Sequence, residues 1–267
     1  MAQDGRSFEV VLAEAQAHGF AEPDPTYDVE GYDTAHKTAI LASLAFQQDV
    51  RYSDVFVEGI SRLKPLDLEN AKKLGYIIKL LGVAKLDESD GRIEVRVHPT
   101  LLPKASLLAN VSGVFNGVMV EGNLVGQTLF YGRGAGQLPT SSAILSDVMA
   151  IAADVQRGVA PVNEHRLKIP VGQKKLKPIA ELETSYYLRI PVEDRPGAMA
   201  KISGVLAAHN ISINSMLQDG GHPHGRADVI IVTHTARESE VQAALAEIAK
   251  SDVAVEKPFV LRVEEAL

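Results

Sequence analysis

The residues best suited to chemistry are concentrated between Gly19 and Leu44. Five carboxylates fall within a dozen positions, and a single lysine, Lys37, follows the last of them by one helical turn. The carboxylates are Glu22, Asp24, Asp28, Glu30 and Asp33. Neighbouring carboxylates favour the charged form of a lysine, and a charged lysine in a fixed position can give a proton to a reacting oxygen. The stretch therefore predicts that Lys37 is a proton donor held in a fixed position by neighbouring carboxylates.

Two local structures are expected within this acidic stretch. Pro23 and Pro25 fix the backbone and exclude a helix, so the first carboxylates lie on a stiff loop. From about Gly31 the pattern is helical, and four residues fall within roughly 60° of one another on that helix: Asp33, Lys37, Ile40 and Leu44. We expect this face to be buried, with Lys37 directed inward and paired with Asp33. The alternative is a solvated i, i+4 ion pair, with the acidic residues serving as helix caps and dipole partners.

The same stretch resembles the signature of homoserine dehydrogenases. The matching pattern is Ala15-x3-Gly19-Phe20-Ala21-x2-Asp24-Pro25-x2-Asp28-Val29-x-Gly31-x-Asp33-x3-Lys37. In that family the corresponding lysine is held to be the proton donor when aspartate semialdehyde is reduced to homoserine, so the resemblance implies this role for Lys37. It also implies that Glu22, Asp28 and Asp33 bind the amino-acid substrate or orient the lysine.

The composition is that of an ordinary globular protein. The 267 residues are 46% hydrophobic and 23% charged, with a formal net charge of −7 at pH 7. This length suits one large domain or two, and the acidic balance argues against a nucleic-acid partner. The chain has no cysteine, which excludes disulfides and thiolate metal sites, and we expect no metal. No apolar run approaches the roughly 18 residues of a membrane span, so we expect a cytoplasmic protein with no membrane partner.

A mixed or antiparallel sheet with helices on one face is expected to support the acidic stretch, which makes the fold class α+β. Helices are predicted at 7–15 and 67–75, and strand-like runs at 76–84, 92–97 and 117–131. The run around Val95 alternates between apolar and polar residues, which predicts a sheet covered on one side only. His98, at the end of this run, is interpreted as structural rather than catalytic.

A glycine-rich turn follows these strands. Residues 132–136 read G-x-G-x-G and lead through Pro139 into an apolar helix that ends near Val155. Backbone amides at such a turn can approach an anion or a flat ring, although an ordinary tight turn has the same pattern, and the dinucleotide fingerprint G-x-G-x-x-G is different. Homoserine dehydrogenases carry a similar turn over the nicotinamide, so the resemblance implies that Gly134, Ala135 and Gly136 contact NAD or NADP.

The C-terminal part is predicted to be a separate module. We expect a first domain at 1–160, a linker at 161–183 with solvated lysines, and a second domain at 184–267. The second domain alternates as βαββαβ, the ferredoxin-like plan. Its segments 194–199 and 209–214 resemble the ACT domain, an amino-acid-sensing module that usually pairs side by side. The resemblance implies an effector site at Asp194, Gly197, Ala198 and Asn214, with threonine as the effector and a homodimer or homotetramer as the assembly; the alternative for the turn at Gly197 is a turn and nothing more.

The 267 residues contain no strand-GxGxxG-helix unit. Homoserine dehydrogenases begin with a nucleotide-binding domain, so the resemblance implies a substrate-binding and regulatory portion without that domain, and negligible turnover by this chain alone. Preference between NAD and NADP is not readable here. The competing interpretation is an amino-acid-sensing regulatory module with an inert catalytic remnant.

Overall fold

The computed structural model describes residues 8–17, 23–158, 175–222 and 225–265, and it has the expected α+β class. The α-helices in these ranges are α1 Phe8–Ala17, α2 Thr26–Val29, α3 Tyr32–Phe46, α4 Pro65–Lys73, α5 Gln137–Gln156, α6 Ala198–Ala208 and α7 Glu238–Ala249. The strands are β1 Phe56–Val57, β2 Tyr76–Leu86, β3 Ile93–Pro103, β4 Phe115–Gly122, β5 Gly126–Arg133, β6 Glu183–Glu193, β7 Ile213–His222, β8 Arg226–Thr233, β9 Ala236–Arg237 and β10 Phe259–Val263.

Strand β3 is the centre of the main sheet. One edge of β3 pairs along its full length with β2, antiparallel. The other edge is shared by two strands, because β1 pairs in parallel at Arg96 and Val97 and β10 pairs in parallel at Thr100 and Leu101. Since β10 also belongs to the C-terminal module, the two predicted domains are joined in one eight-stranded sheet. This continuity was not predicted from the sequence.

The C-terminal module has the predicted βαββαβ order in β6, α6, β7, β8, α7 and β10, with the short β9 added. Helices α6 and α7 supply Ile202, Leu206 and Val241 to an apolar core on one face of its sheet. The other face is covered by α4 of the first domain, through a second apolar cluster that includes Ala71 and Tyr187. Apolar packing on both faces makes the junction part of the core.

A buried ion pair fixes α4 on that second face. Asp67 on α4 accepts hydrogen bonds from Arg189 Nε (2.7 Å) and from the Tyr187 hydroxyl (2.9 Å), both on β6. Burial and the neighbouring Asp67 carboxylate raise the pKa of Tyr187 far above its usual value, so this phenol is a permanent donor. Removing one member of such a pair leaves an uncompensated charge and costs roughly 3–5 kcal/mol.

The polar face of β3 is buried, so the expected one-sided coverage is wrong. Arg96 is 2% exposed and His98 is 0% exposed. The C-terminal strand brings Glu264 against this face, where it accepts a 2.7 Å hydrogen bond from Arg96 Nη2. Arg96 Nη1 donates to His98 Nε2 at 2.7 Å, which requires a neutral imidazole. Burial, followed by the charges of Arg262 and Arg96, holds the pKa of His98 well below its usual value. His98 thus lies in a buried structural network.

Two further expectations need correction. The run 117–131 is not one strand but part of the hairpin β4–β5, whose turn ends at Gly126 with φ +70°. Lys177 is not solvated, because its ammonium lies 3.1 Å from Asp87 and the backbone beside it pairs with Ile93 on β3. Residues 161–174 of the predicted linker lie outside the described residues.

Helix α5 differs from the expectation that no apolar run in this chain approaches the length of a membrane span. All but three of its residues are exposed, and by length and composition alone it is sufficient to cross a membrane. One helix of this kind is weak evidence for a membrane span, because soluble proteins contain such helices too.

Histidine 209 makes the packing of α6 on α7 sensitive to pH. Its ring nitrogens lie 3.0 Å from Glu247 and 3.4 Å from Glu240, both on α7. The hydrogen bond to Glu247 is the main cause that raises the pKa of His209. A raised folded-state pKa gives stability that is complete below the unfolded-state pKa and is lost as the pH rises through the folded-state pKa.

We therefore expect the thermal unfolding temperature to fall, between about pH 6 and about pH 8.5, by more in the wild-type chain than in His209→Gln. Thermal melts at several pH values measure this. His234→Gln, which changes an exposed histidine of the same module, is the control and should retain the wild-type profile. Equal pH slopes for wild type and H209Q would contradict the expectation.

Candidate functional site

The acidic stretch folds as two helices with a sharp step between them. Asp24 opens the first helix, since its Oδ1 accepts hydrogen bonds from the Thr26 hydroxyl (2.6 Å) and the Thr26 N–H (3.1 Å). These bonds, the hydroxyl first, lower the pKa of Asp24. Asp24 is therefore a fixed anion that caps α2 and does not serve as a mobile acid.

Glycine 31 makes the step from α2 to α3. Its φ is +79°, a left-handed conformation that glycine adopts without strain. A Cβ at this position would also lie 3.1 Å from Val97 Cγ1 on β3. Gly31 thus lets the acidic stretch rest on the central strand while the chain turns into the helix that carries the lysine.

Asp33 and Lys37 form the predicted pair. Lys37 Nζ lies 2.7 Å from Asp33 Oδ2, and the two side chains are 66% and 48% exposed. The pairing is as expected, but the inward orientation is wrong. The face of α3 that packs on the sheet is a stripe of small residues: Ala35, Thr38, Ala39, Ala42 and Ser43.

The cause of this orientation is close packing between α3 and β2. Gly82 of β2 faces α3, where a Cβ would overlap the Thr38 hydroxyl. A helix approaches a sheet that closely only through small side chains. The bulkier apolar residues of α3 therefore face away from the sheet. Ile40 is 61% exposed and Leu44 is 42% exposed, beside the lysine.

Of the two other residues predicted to bind the substrate, the structure describes one. Asp28 is exposed on α2, and its carboxylate has no hydrogen-bond partner among the described residues. Glu22 lies outside the described residues. Lys37, Asp33 and Asp28 are thus all accessible to solvent, and within the described residues a hydrogen bond joins only Lys37 to Asp33.

An aromatic cluster borders the same step and was missed at the sequence level. Tyr32 packs edge-on against Tyr27 and Tyr52, with ring centroids 5.8 and 6.3 Å apart. His36 stacks on Tyr52 at 4.2 Å. The available signal was compositional, because three of the seven tyrosines fall within residues 27–52.

The glycine-rich turn connects β5 to α5 and is exposed. Gly136 has φ +119° and precedes the first residue of α5, while a Cβ on Gly134 would overlap the side-chain amide of Asn116. The turn at 134–136 thus carries only the methyl group of Ala135 and leads to the start of a 20-residue helix, which fits the approach of a flat or anionic group. No hydrogen bond or ion pair within the described ranges joins this turn to the α2–α3 step.

Three of the four predicted effector residues lie where β6 turns into α6. Gly197 has φ +91° and caps α6, and Ala198 is its first, buried residue. Asp194 accepts a 3.3 Å hydrogen bond from Gln218 of β7. Asn214 is exposed on the same strand, but the pairing of β7 and β6 through β8 sets it level with the first half of β6, away from Asp194. Strand β7 is the outer strand of the sheet in the described part of the chain, so Asn214 lies on an edge strand.

Family comparisons agree with both halves of the chain. The homoserine dehydrogenase family matches residues 1–149, and the ACT domain family matches residues 186–252. A homoserine dehydrogenase from Neisseria gonorrhoeae is 43% identical over 269 residues, which covers 100% of this chain and 61% of that protein. A homoserine dehydrogenase from Pseudomonas aeruginosa is 44% identical over 253 residues, which covers 92% of this chain and 57% of that protein.

Solved structures give the same result. A homoserine dehydrogenase from Thiobacillus denitrificans superposes with a TM-score of 0.89 at 40% identity, over 99% of this chain and 60% of that one. One from S. aureus gives a TM-score of 0.71 at 32% identity, over 100% of this chain and 62% of that one. This chain therefore spans about three fifths of the length of the relatives that it matches.

Fold and site together define a class of protein: an α+β domain with a carboxylate–lysine pair, joined through one sheet to an ACT domain. Its sequence and its backbone both match complete members of a single family over almost all of the chain. The chain belongs to the homoserine dehydrogenase family.

The step at Gly31 can be tested against a second left-handed glycine. In Gly31→Ala the new methyl group meets Val97, whereas Gly75, with φ +89°, has nothing within 4 Å of the same position. We expect both alanine variants to lose about 1–2 kcal/mol from backbone strain. Gly31→Ala should lose roughly 1 kcal/mol more from the contact with Val97.

Urea unfolding of both variants measures the difference. Equal losses in the two variants would show that Val97 does not constrain the step.

Proposed function

We propose that this chain carries the substrate-binding and regulatory parts of a homoserine dehydrogenase, which interconverts L-homoserine and L-aspartate 4-semialdehyde in the biosynthesis of threonine, methionine and isoleucine in the cytoplasm. One observation carries the proposal. Lys37 and Asp33 are paired at 2.7 Å and accessible to solvent, in a chain that belongs to this family.

The residues of the step have distinct roles in this proposal. The Lys37 ammonium donates a proton to the aldehyde oxygen as the semialdehyde becomes an alcohol. Asp33, one turn away, keeps that lysine charged and oriented. Asp28 and Glu22 bind the α-ammonium group of the substrate. The Asp28 carboxylate has no hydrogen-bond partner in the described part of the chain, which supports this assignment because such an anion is available to a cationic ligand.

NAD or NADP is the cofactor in this proposal, and when bound it supplies the hydride that adds to the aldehyde carbon. Gly134, Ala135 and Gly136 contact its nicotinamide end, which the exposed, side-chain-poor turn before α5 supports. These 267 residues contain no G-x-G-x-x-G sequence. Hydride transfer requires both reactants to be held in contact, so we expect negligible turnover from this chain alone.

The C-terminal domain is proposed to bind an amino-acid effector, threonine. The backbone N–H groups that follow Ala198 in the first turn of α6 suit a carboxylate, while the Ala198 N–H itself donates to the Arg195 carbonyl at 3.3 Å. Asp194 suits an ammonium group. Asn214 lies on the edge strand β7, away from Asp194. An open strand edge favours pairing with a second copy, which supports a homodimer or homotetramer with the effector at the shared edge.

The substrate assignment is tested by titration calorimetry with L-homoserine. We expect binding to the wild-type chain, weakened about tenfold or more in Asp28→Asn because the ammonium loses its ion pair. Lys37→Met should bind within about threefold of wild type, because the proton donor acts mainly in the transition state. Glu121→Gln, an exposed carboxylate on β4, is the matched control and should bind like wild type.

The same preparation is assayed for NADPH loss with aspartate semialdehyde. Rapid turnover would refute the expectation that this chain is inactive alone. Failure of the wild-type chain to bind L-homoserine would favour the other interpretation, in which only the regulatory domain binds an amino acid.

The effector site is tested by calorimetry with L-threonine. Wild type should bind, and Asp194→Asn should bind about tenfold more weakly because the effector ammonium loses its partner. Glu183→Gln, at the far end of β6, is the control. Loss of affinity in both variants to the same extent would reject the site at Asp194.

A further inference from the structure

One arginine of the C-terminal domain reaches into the first domain. Arg262 on β10 is 2% exposed and makes three charged hydrogen bonds. Its Nε and Nη2 donate to Glu238, the first residue of α7, at 2.9 and 2.6 Å. Its Nη1 donates to Glu58 of the first domain at 2.8 Å. One buried guanidinium therefore bonds a carboxylate in each domain.

Glu58 holds a short segment beside the acidic step. It follows β1 directly, and its backbone N–H donates to the Val97 carbonyl of β3 at 2.8 Å. Strands β1 and β10 occupy successive positions along the same edge of β3. The ion pair between Arg262 and Glu58 bridges the gap between these two strands.

The two residues after Glu58 touch the acidic stretch itself. Gly59 lies so close to Glu30 that a Cβ would be 2.6 Å from the Glu30 Cα and 2.7 Å from the Val29 carbonyl oxygen. The Ile60 N–H donates to that Val29 carbonyl at 2.9 Å. Segment 58–60 is therefore a support on which the end of α2 rests, immediately before Gly31 begins the turn to Asp33 and Lys37.

The junction around Arg262 is partly hollow. A cavity of about 480 Å³ lies between β1 and α7, and Glu58, Glu238 and Arg262 are in its wall. Beside this cavity the hydrogen bonds of Arg262 connect α7 to Glu58, and the guanidinium also lies 5.0 Å from the ring of Phe56 on β1. A shift of α7 or β10 can then be transmitted to Glu58 without repacking a core.

We propose that Arg262, acting through Glu58, is a positioning residue for the acidic site: the regulatory domain holds segment 58–60, and the segment holds α2 and the start of α3. The inference rests on the proposed function in so far as Asp28, Asp33 and Lys37 are taken as the substrate site. It gives the regulatory domain a direct mechanical connection to substrate binding.

The test uses the 267-residue chain and two readouts. Amide hydrogen exchange of Ile60 reports on the contact with α2 without any ligand, and calorimetry with L-homoserine reports on the site. In Glu58→Ala we expect Ile60 exchange to accelerate about tenfold or more and L-homoserine affinity to fall about tenfold. Glu58→Gln retains an oxygen acceptor for Arg262 and should recover both to within about threefold of wild type.

Two further variants separate positioning from general stability. Arg262→Lys keeps the charge but cannot bond both carboxylates, so it should accelerate Ile60 exchange, and the double variant with Glu58→Ala should be no faster than Glu58→Ala alone. Glu256→Ala breaks the exposed ion pair between Lys64 and Glu256, which also joins the domains. It should leave both readouts unchanged.

The outcomes are distinguishable. Unchanged Ile60 exchange in Glu58→Ala overturns the inference, and so does equal acceleration at Ile231 in the core of the C-terminal domain, which would show general destabilisation. If Ile60 exchange accelerates alone while wild type does not bind L-homoserine, the positioning role is supported and the proposed substrate is rejected.

Discussion

The arrangement of this molecule depends on a very short strand contact. Strands β3 and β10 pair over only two residues on each side, too few to fix the angle between two domains by backbone hydrogen bonds alone. Buried ion pairs supply the rest, with Arg96 bonded to Glu264 on one side of the contact and Arg189 bonded to Asp67 on the other. Breaking such a pair costs about 3–5 kcal/mol, a large part of the roughly 5–15 kcal/mol that keeps a domain folded. The buried ion pairs therefore fix the angle between the two domains at the junction.

Charge burial at the junction is possible because each charged side chain is paired, although the Arg96 Nε has no hydrogen-bond partner among the described residues. Glu264 accepts from Arg96 and also pairs with Lys85, and these cations lower its pKa although burial, the largest single influence, opposes them. Neutral His98 completes the set by accepting a hydrogen bond from Arg96. A carboxylate with two cations and an arginine with several acceptors tolerate burial that an isolated charge would not. This pairing makes the junction specific, since a displaced strand would leave charges without partners.

The sequence predicted the elements better than their environment. Alternation around Val95 correctly identified a strand, and Gly197 with its flanking residues identified the turn into α6, because both signals are local. The orientation of α3 failed because the helix has two apolar stripes, and the choice between them was made by Gly82 on another strand. The shared sheet could not be predicted from the sequence, because β10 pairs with β3 across more than 150 residues of chain. No local pattern encodes that contact. The pair of Asp33 and Lys37 was predictable because it lies within one helical turn.

The tyrosine cluster beside the acidic step has an optical consequence. The chain has no tryptophan, so ultraviolet emission comes from tyrosine alone, with no indole to accept its excitation energy. Tyr187 donates its hydroxyl proton to a carboxylate, an arrangement that quenches phenol fluorescence. Tyr32 contacts Tyr27 and Tyr52, and His36 stacks on Tyr52. Three of the seven tyrosines therefore lie beside the acidic stretch, and their emission can follow events there without an added dye.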